Sequence, residues 1–536
     1  MPPSTLPVDA ILPDLRRALR DGTRVVLEAP PGAGKTTRIP PALLDEPWLA
    51  GRTILMLEPR RIAARAAAEY MAAQRGERVG DTVGYRIRFE TKVSAATRIE
   101  VVTEGILTRM IQDDPELATI GAIVFDEFHE RHLHGDLGAA LALDVQANLR
   151  PDLRLVIMSA TLNGERIARW FDAAQLVSEG SSFPVRIAHP PARANESFPE
   201  RGWPFHLRRA VELALAENDG DVLVFLPGKR EIDIAARALE SLRADAIPSP
   251  AQRGKELMSP ARQISIVPLH GELALADQHA ALAPAAPGQR RVVLATNVAE
   301  SSLTLPGVRS VVDLGLAREP RFDPNSGFTR LEAIGISQAS ADQRAGRAGR
   351  LGPGTCYRLW PQSRRLDAER TPEIAQVELA PLALELAAWG DDSLRWLDPP
   401  PAGAMAQARD VLRRLGAMED TQRITAQGRR MLGLGAHPRL AAAILAAPAS
   451  MQAQACDLVA LVEARNPLRG DAGRSDDFRH RVAALQAWRT RDRGTARDLG
   501  ADSGALAAIA QAGDAWRRRV EPRRSGFSRD ASDTRS

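Results

Sequence analysis

A chain of 536 residues is too long for one hydrophobic core, and about three or four domains of roughly 100 to 200 residues each are expected. Apolar residues at 44%, charged residues at 26% and the lack of any stretch near the roughly 18 apolar residues of a membrane span exclude a membrane protein and a wholly disordered chain. Two cysteines, Cys356 and Cys456, exclude a disulfide framework or a zinc cluster and, with no secretory pattern over residues 1–15, point to the cytoplasm; the net charge of +4 is compatible with nucleic acid without arguing for it.

In chain order, short apolar runs bounded by turn residues recur with helical stretches between them. The first series is Val25 to Leu27, Ile54 to Leu57, Ile99 to Val102, Ala122 to Phe125 and Leu155 to Met158. Such alternation predicts a parallel sheet covered by helices. The first run leads into Ala29-Pro-Pro-Gly-Ala-Gly-Lys-Thr-Thr37 and then a helix. This is the setting of a phosphate-binding loop: Gly32 and Gly34 let backbone amides turn inward, Lys35 reaches the terminal phosphates, and the Thr36 hydroxyl can ligate magnesium. Gly32, Ala33, Gly34, Lys35, Thr36 and Thr37 are therefore the expected nucleotide-binding set. Ala29 stands where the common pattern has its first glycine. Lysine is otherwise scarce, with only Lys35, Lys92, Lys229 and Lys255, and Lys35 sits where a compact ammonium suits better than a planar guanidinium.

The run Ala122 to Phe125 ends in Asp126-Glu127-Phe128-His129. At the carboxyl end of a parallel strand, Asp126 can hold magnesium while Glu127 orients or deprotonates the attacking water. Taken alone, the pair reads as well as a solvated strand end; its place after the phosphate loop favours the catalytic reading.

A second series follows the Pro-containing segment Phe183 to Pro191: Val222 to Leu226, Ile264 to Leu269, Val292 to Ala295 and Val311 to Leu314. Two α/β lobes in tandem are the expected fold. Gln343-Arg-Ala-Gly-Arg-Ala-Gly-Arg350 comes next, and on a helix Gln343, Arg347 and Arg350 share one stripe while Gly346 and Gly349 permit close approach of another surface. Arginines presented across a cleft can stabilise charge on a transferring phosphoryl group, the alternative being an exposed basic helix. Beyond about Pro361 the β-like runs stop and Ala/Leu/Arg-rich helical segments take over, broken at Pro399, Pro400 and Pro401. From Arg517 onward almost nothing is apolar, so that tail is expected to be disordered.

The phosphate loop, Asp126 to His129, Ser159-Ala160-Thr161 and Gln343 to Arg350 resemble, in order and approximate separation, the DEAH-box helicases of superfamily two. Glu58-Pro-Arg-Arg61, Thr103-Glu-Gly-Ile-Leu107, Val222-Leu-Val-Phe-Leu-Pro-Gly228 and Ala295-Thr-Asn-Val-Ala-Glu-Ser-Ser302 match as well, and His437-Pro-Arg-Leu-Ala441 looks like the bacterial HrpB-type branch. The resemblance spans roughly residues 10–515. It implies an α/β fold of two tandem RecA-like parallel-sheet lobes, residues 1–188 and 189–365, followed by α-helical accessory domains: a winged-helix-like domain over 366–430, a helix bundle over 431–516 and a disordered Arg-rich tail over 517–536. It implies a monomeric enzyme that hydrolyses ATP with Mg2+ and moves on or unwinds single-stranded nucleic acid, RNA favoured over DNA; a stimulated ATPase that remodels ribonucleoprotein without unwinding is the alternative.

Carried over by position, Glu127, Asp126, Gln343, Arg347 and Arg350 are the expected catalytic residues, with Thr36 and Asp126 on the metal. Arg60, Arg61, Thr103, Thr296 and Asn297 resemble contacts to the nucleic-acid backbone, which give affinity with little sequence preference. His129, Ser159 and Thr161 resemble the elements coupling hydrolysis to strand handling. Ala317 to Ile336, with the turn-prone Asp323-Pro-Asn-Ser-Gly327, resembles the family's separator hairpin, a plain surface hairpin being the other reading. Thr371-Pro-Glu-Ile374 resembles the start of the appended helical domains. Three departures stand out: Phe128 replaces the usual alanine, Gln278 to Pro284 has no aromatic residue to stack on the nucleotide base, and the chain ends where the family continues into an OB-like domain, so a C-terminally shortened version is expected.

Overall fold

The computed structural model describes residues 6–30, 32–87, 90–160, 164–178, 183–243, 263–273, 275–300, 305–323, 327–391 and 393–520. Two strands, Thr53–Leu57 and Ile120–Phe125, are almost continuously buried with no polar alternation, as strands covered on both faces must be. They belong to a sheet of eight: β1 (Arg24–Glu28), β2 (Thr53–Leu57), β3 (Val83–Ile87), β4 (Glu90–Lys92), β5 (Ile99–Val102), β6 (Ile120–Phe125), β7 (Arg154–Ser159) and β8 (Ala174–Val177). The order is β4-β3-β5-β2-β6-β7-β1-β8, parallel throughout except for the β3–β4 hairpin.

This order interleaves chain order, so segments far apart in sequence end side by side at the carboxyl edge, where α/β sheets place ligands. Thr103 follows β5, Glu58 to Arg61 follow β2, Asp126 follows β6, Ser159 closes β7, and the phosphate loop follows β1. Ladder-like bonds run on past the strands and fix the spacing: Glu58 N donates to Val102 O at 2.9 Å, Asp126 N to Leu57 O at 3.0 Å, and Ala29 N to Ser159 O at 3.1 Å.

The second sheet comprises β9 (Val185–Ala188), β10 (Asp221–Phe225), β11 (Gln263–Leu269), β12 (Gln289–Ala295), β13 (Val308–Asp313) and, beyond an intervening hairpin of β14 (Leu316–Asp323) and β15 (Phe328–Gly335), β16 (Gly354–Arg358). Its order is β11-β12-β10-β13-β16-β9, all parallel. These two sheets are the expected RecA-like lobes. The expected boundary at residue 188 is corrected: β9 pairs with β16, Val185 opposite Gly354, and so belongs to the second lobe. The β14–β15 pairing, antiparallel from Leu316 opposite Gly335 to Asp323 opposite Phe328, meets the expectation of a hairpin over Ala317 to Ile336. Residues 324–326 of its turn lie outside the described residues.

Residues 1–377 and 394–399 form one compact unit. The helical region expected from residue 366 therefore begins as a separate unit only at Glu378. That second unit, residues 378–393 and 400–536, is helical, from Ala380–Trp389 to Ser503–Val520, with two isolated antiparallel bridges, Met418 with Ile424 and Leu468 with Ala501, among its described residues. The expected division at 430/431 would cut through the helix Ala426–Leu434. Within this unit Glu378 receives Arg439 at 3.0 Å and also contacts His437, which accounts for the His-Pro-Arg motif as packing polarity. Of the tail expected to be disordered over 517–536, residues 521–536 lie outside the described residues and only the start at Arg517 is corrected. Arg517 to Val520 continue the last helix, where Asp457 and Asp514 lie 2.5 and 3.6 Å from Arg517 and supply the counter-charge the local composition lacks. Among the described residues, no helix is long and apolar enough to cross a membrane.

Candidate active site

The phosphate loop turns on two left-handed glycines, Gly32 at φ +89° and Gly34 at φ +95°, and delivers the chain into the amino end of the helix Lys35–Ala42. Gly34 is required twice over, since a Cβ there would also sit 2.7 Å from Leu6 Cδ1. The N-terminal segment braces the loop: Val8 N donates to Ala33 O at 3.1 Å, a role that reading the sequence only for a targeting signal did not anticipate. Lys35 is buried and its Nζ donates to Ala29 O at 3.1 Å, which holds the ammonium inside the loop.

Thr36 Oγ1 donates to Asp126 Oδ2 at 2.5 Å, joining the phosphate loop to the end of β6. Burial, then the adjacent Glu127 charge, raise the Asp126 carboxyl to about 7 against the pull of Lys35 and the Thr36 hydroxyl. A desolvated carboxylate beside a hydroxyl is an oxygen-only pair suited to magnesium, which takes one or two protein oxygens and completes its shell with water and phosphate. Glu127 N closes on Asp126 Oδ1 at 2.8 Å, and Glu127 itself is left-handed at φ +49°. Phe128 fills the space behind: it stacks on Trp170 at 6.1 Å and meets Phe125 edge-on at 6.2 Å. The departure from alanine is thus absorbed by a local aromatic cluster.

His129 is the junction. Its Nδ1 lies 3.3 Å from the Ala160 amide and 3.5 Å from Glu127 Oε2, and its Nε2 is 3.1 Å from the Gln343 amide group of the second lobe. Burial pushes the imidazole pKa down and favours the neutral ring. If Nδ1 accepts from Ala160, Nε2 carries the proton and Gln343 presents its oxygen. Ser159 is buried at the end of β7; Thr161 lies outside the described residues.

The second lobe meets this edge with the helix Gln338–Gly346, capped where Ser337 Oγ accepts from Ser340 N at 3.2 Å. The single helical stripe expected for Gln343, Arg347 and Arg350 is corrected, because the α-helix ends at Gly346 and Arg347–Gly349 winds into a tighter 3-10 turn. Gly349 does permit close approach, since a Cβ there would lie 2.5 Å from Phe183 O; Gly346 has nothing within 4 Å among the described residues. Arg350 reaches the phosphate loop, its Nε 3.3 Å from where a Gly32 Cβ would be, and Arg347 Nε donates to Glu300 O at 3.1 Å. Burial pushes Arg350 down to about 10, and burial together with Arg350 pushes Arg347 well down. A guanidinium hardly gives up its proton in a protein, so this push measures the cost of desolvated cations held together, which an anionic phosphate would relieve. Arg344, in the same motif, does something else. It is fully buried, with Asp313 Oδ1 at 2.9 Å, Glu300 Oε2 at 2.8 Å and the Phe225 ring beneath it at 4.8 Å.

Of the residues expected along a nucleic-acid path, Arg60 gives Nη2 to Glu130 Oε2 at 2.8 Å and also donates to the Asn297 carbonyl of the second lobe. Arg60 and Asn297 line one pocket with His129, Glu300 and Gln343. Arg61 is exposed at the start of its helix, and Thr103 caps the helix Glu104–Asp113 without using its hydroxyl as a cap. Thr296 precedes the turn Asn297–Ala299 at the end of β12. The structure thus brings together the phosphate loop, Asp126 to His129, Ala160 and Gln343 to Arg350. Sequence reasoning missed Glu300, Glu130 and His132; the density of charge over Glu127 to His132 was the available signal.

Residues 13–170 match the family model DEAD/DEAH box helicase, and residues 206–352 match Helicase conserved C-terminal domain. The chain is 44% identical over 493 residues to the ATP-dependent RNA helicase HrpB of Escherichia coli K12, a match covering 90% of this chain and 58% of that protein. It is similar to two solved structures. The crystal structure of the E. coli DEAH/RHA helicase HrpB matches at TM-score 0.79 and 41% identity over 95% of this chain and 63% of that one. The crystal structure of the E. coli DExH-box NTPase HrpB matches at 0.75 and 41% over 96% and 62%. The chain therefore spans less than two thirds of the length of the relatives it matches.

Proposed function

Since this chain belongs to the DEAD/DEAH box helicases, we propose that it is a cytoplasmic, monomeric ATP-dependent motor that moves on or unwinds single-stranded nucleic acid, RNA in preference to DNA. One observation carries the reading: the Arg350 guanidinium of the second lobe lies beside Gly32 of the phosphate loop of the first, and Gln343 of the same motif lies on His129.

In this reading the amides of Gly32, Ala33, Gly34 and Thr37 cradle the phosphates and Lys35 neutralises their terminal charge. Thr36 and Asp126 would hold Mg2+, which when bound polarises the phosphate and shields its charge. Glu127, pointed inward by its left-handed backbone, orients the attacking water and takes its proton, while Arg347 and Arg350 stabilise charge developing on the transferred phosphoryl group. Gln343 reports that closure to His129, and His129 to Ala160 within the Ser159-Ala160-Thr161 segment. Arg60, Arg61 and Thr103 grip the nucleic-acid backbone from one lobe, and Thr296 and Asn297 from the other, so that opening and closing of the seam moves one grip past the other. Arg60 now bonds the Asn297 carbonyl directly, so this reading requires that contact to yield when a strand enters.

The test is ATP turnover by the purified chain with single-stranded RNA, single-stranded DNA or neither, beside a strand-displacement assay. RNA-stimulated turnover with displacement is expected. Stimulated turnover without displacement supports the remodelling ATPase, and no turnover under any condition refutes the motor.

A further inference from the structure

Behind the hydrolytic loop runs a segment that the roles above do not use. Residues 367–377 leave the second lobe and cross to the back of the loop from Glu127 to Leu133. That loop is bracketed by two left-handed residues other than glycine, Glu127 at φ +49° and Arg131 at φ +51°, around the short turn Phe128–Glu130. Such backbone persists only where its surroundings over-determine it.

Asp136 holds the Arg131 side chain at 2.9 Å, and Glu373 holds the backbone through its carboxylate and its own amide. Glu373 N donates to Arg131 O at 3.0 Å, and Glu373 Oε2 accepts from Leu133 N at 2.8 Å, gripping the chain on both sides of His132. The same oxygen lies 3.4 Å from His132 Nδ1, while His132 Nε2 lies 2.8 Å from Glu130, which holds Arg60. Asp398 adds a second clamp on Arg131 Nη1 at 2.7 Å. At its other contacts the segment holds the second lobe: Phe322 N of the hairpin donates to Gln376 O at 2.8 Å, Arg370 lies 2.8 Å from Glu319 of β14, and Gln338 N, which starts the helix carrying Gln343, donates to Asp367 O at 2.7 Å.

We propose that Glu373 is a positioning residue for hydrolysis, and that the strap 367–377 couples the β14–β15 hairpin to Glu127 by fixing the loop between Glu127 and Leu133. The inference rests on the ATPase reading above. It differs from plain packing in what it moves: a strap displaced through the hairpin must release Arg131 O and Leu133 N, and the water-orienting carboxylate sits at the other end of the same loop. Glu319 and Arg370 are the hairpin end of the device, Glu373 the catalytic end.

The test uses the full chain with Glu373→Ala, Glu373→Gln and Arg370→Ala. Turnover is read with and without single-stranded RNA, melting temperature is recorded, and amide exchange of residues 131–133 is followed without nucleotide. Glu373→Ala should lower kcat by about 10- to 100-fold with KM for ATP within about twofold, as expected for a misplaced catalytic group. Glu373→Gln keeps an acceptor for Leu133 N and should recover most of kcat. Arg370→Ala should keep turnover without RNA and lose most of its stimulation by RNA. Exchange at Leu133 should rise in Glu373→Ala. The proposal is overturned if kcat stays within twofold of the parent, if kcat falls only in step with melting temperature in both Glu373 variants, or if Leu133 exchange is unchanged. A parent chain that hydrolyses no ATP would sink the proposed function, while Leu133 exchange would still decide the clamp.

Discussion

Arg344 and Arg350 stand six positions apart in one motif, yet the structure assigns them opposite balances of stability and activity. Replacing Arg344 by alanine leaves the fully buried Asp313 carboxylate, and Glu300 beside it, without their cation. Breaking a buried pair from one side costs about 3 to 5 kcal/mol, a large part of the roughly 5 to 15 kcal/mol that holds a domain folded. That corresponds to a fall in melting temperature of roughly 6 to 20 °C for a lobe of this size. Replacing Arg350 removes a guanidinium whose Nε has no hydrogen-bond partner among the described residues and which burial already disfavours. Its melting temperature should hold or rise slightly. Turnover should fall by about 10³ to 10⁵, or roughly 4 to 7 kcal/mol in the barrier, if Arg350 meets the transferred phosphoryl group. Calorimetry and steady-state ATP hydrolysis on both variants decide the matter. Near-normal turnover in Arg350→Ala, or equal destabilisation in the two, would refute the reasoning.

Gly34→Ala combines a left-handed backbone with a 2.7 Å approach to Leu6 Cδ1, so it should cost about 1 to 2 kcal/mol from the backbone alone and weaken ATP binding, measured by titration with a fluorescent nucleotide; undiminished affinity would count against the loop geometry. Phe128→Ala empties the space against Trp170 and Phe125 and should lower stability by about 3 to 5 kcal/mol in denaturant titration, whereas a loss under 1 kcal/mol would mean the cluster closes up. Burial lowers the pKa of His132, but Glu130, Glu373 and Glu104 outweigh it and raise it from 6.5 to about 10. The folded value exceeds the unfolded one, so its stabilisation is complete below about pH 6.5 and is lost as the pH climbs through 10. Melting curves from pH 7 to 10.5 should fall by at most about 1.4 kcal/mol per unit, and His132→Asn should flatten that slope; identical slopes would remove His132 as the titrating group.

What could be read without coordinates was whatever is written locally. The phosphate loop announces itself through its glycines and Lys35, and the buried strands through unbroken apolar runs. Asp126 and Glu127 could be placed because β6 had to end there. What escaped depends on partners far along the chain. Nothing near Arg344 says that Asp313 and Glu300 will bury it, and by residue type it equals Arg347 and Arg350. β9 falls on the wrong side of the expected boundary because Val185 to Ala188 is a half-exposed edge strand whose register with β16 is set across nearly the whole second lobe. Arg517 looked fit only for solvent until Asp457 came alongside it. Glu373 lies in the stretch Thr371 to Ile374 that resembles the start of the appended helical domains, while the amide it holds lies 240 positions earlier.

The last strand of the first sheet ends at Val177 and the first strand of the second begins at Val185, so both sheets belong to one covalent chain. A guanidinium brought by a separate protein would have to be found by diffusion, and its supply would follow that protein's abundance. If Arg347 and Arg350 meet a bound triphosphate as proposed, their local concentration there is set within one chain, in roughly the millimolar range for short tethers, whatever the dilution. Turnover per molecule should accordingly be independent of protein concentration, and arginine supplied from outside would find its place taken.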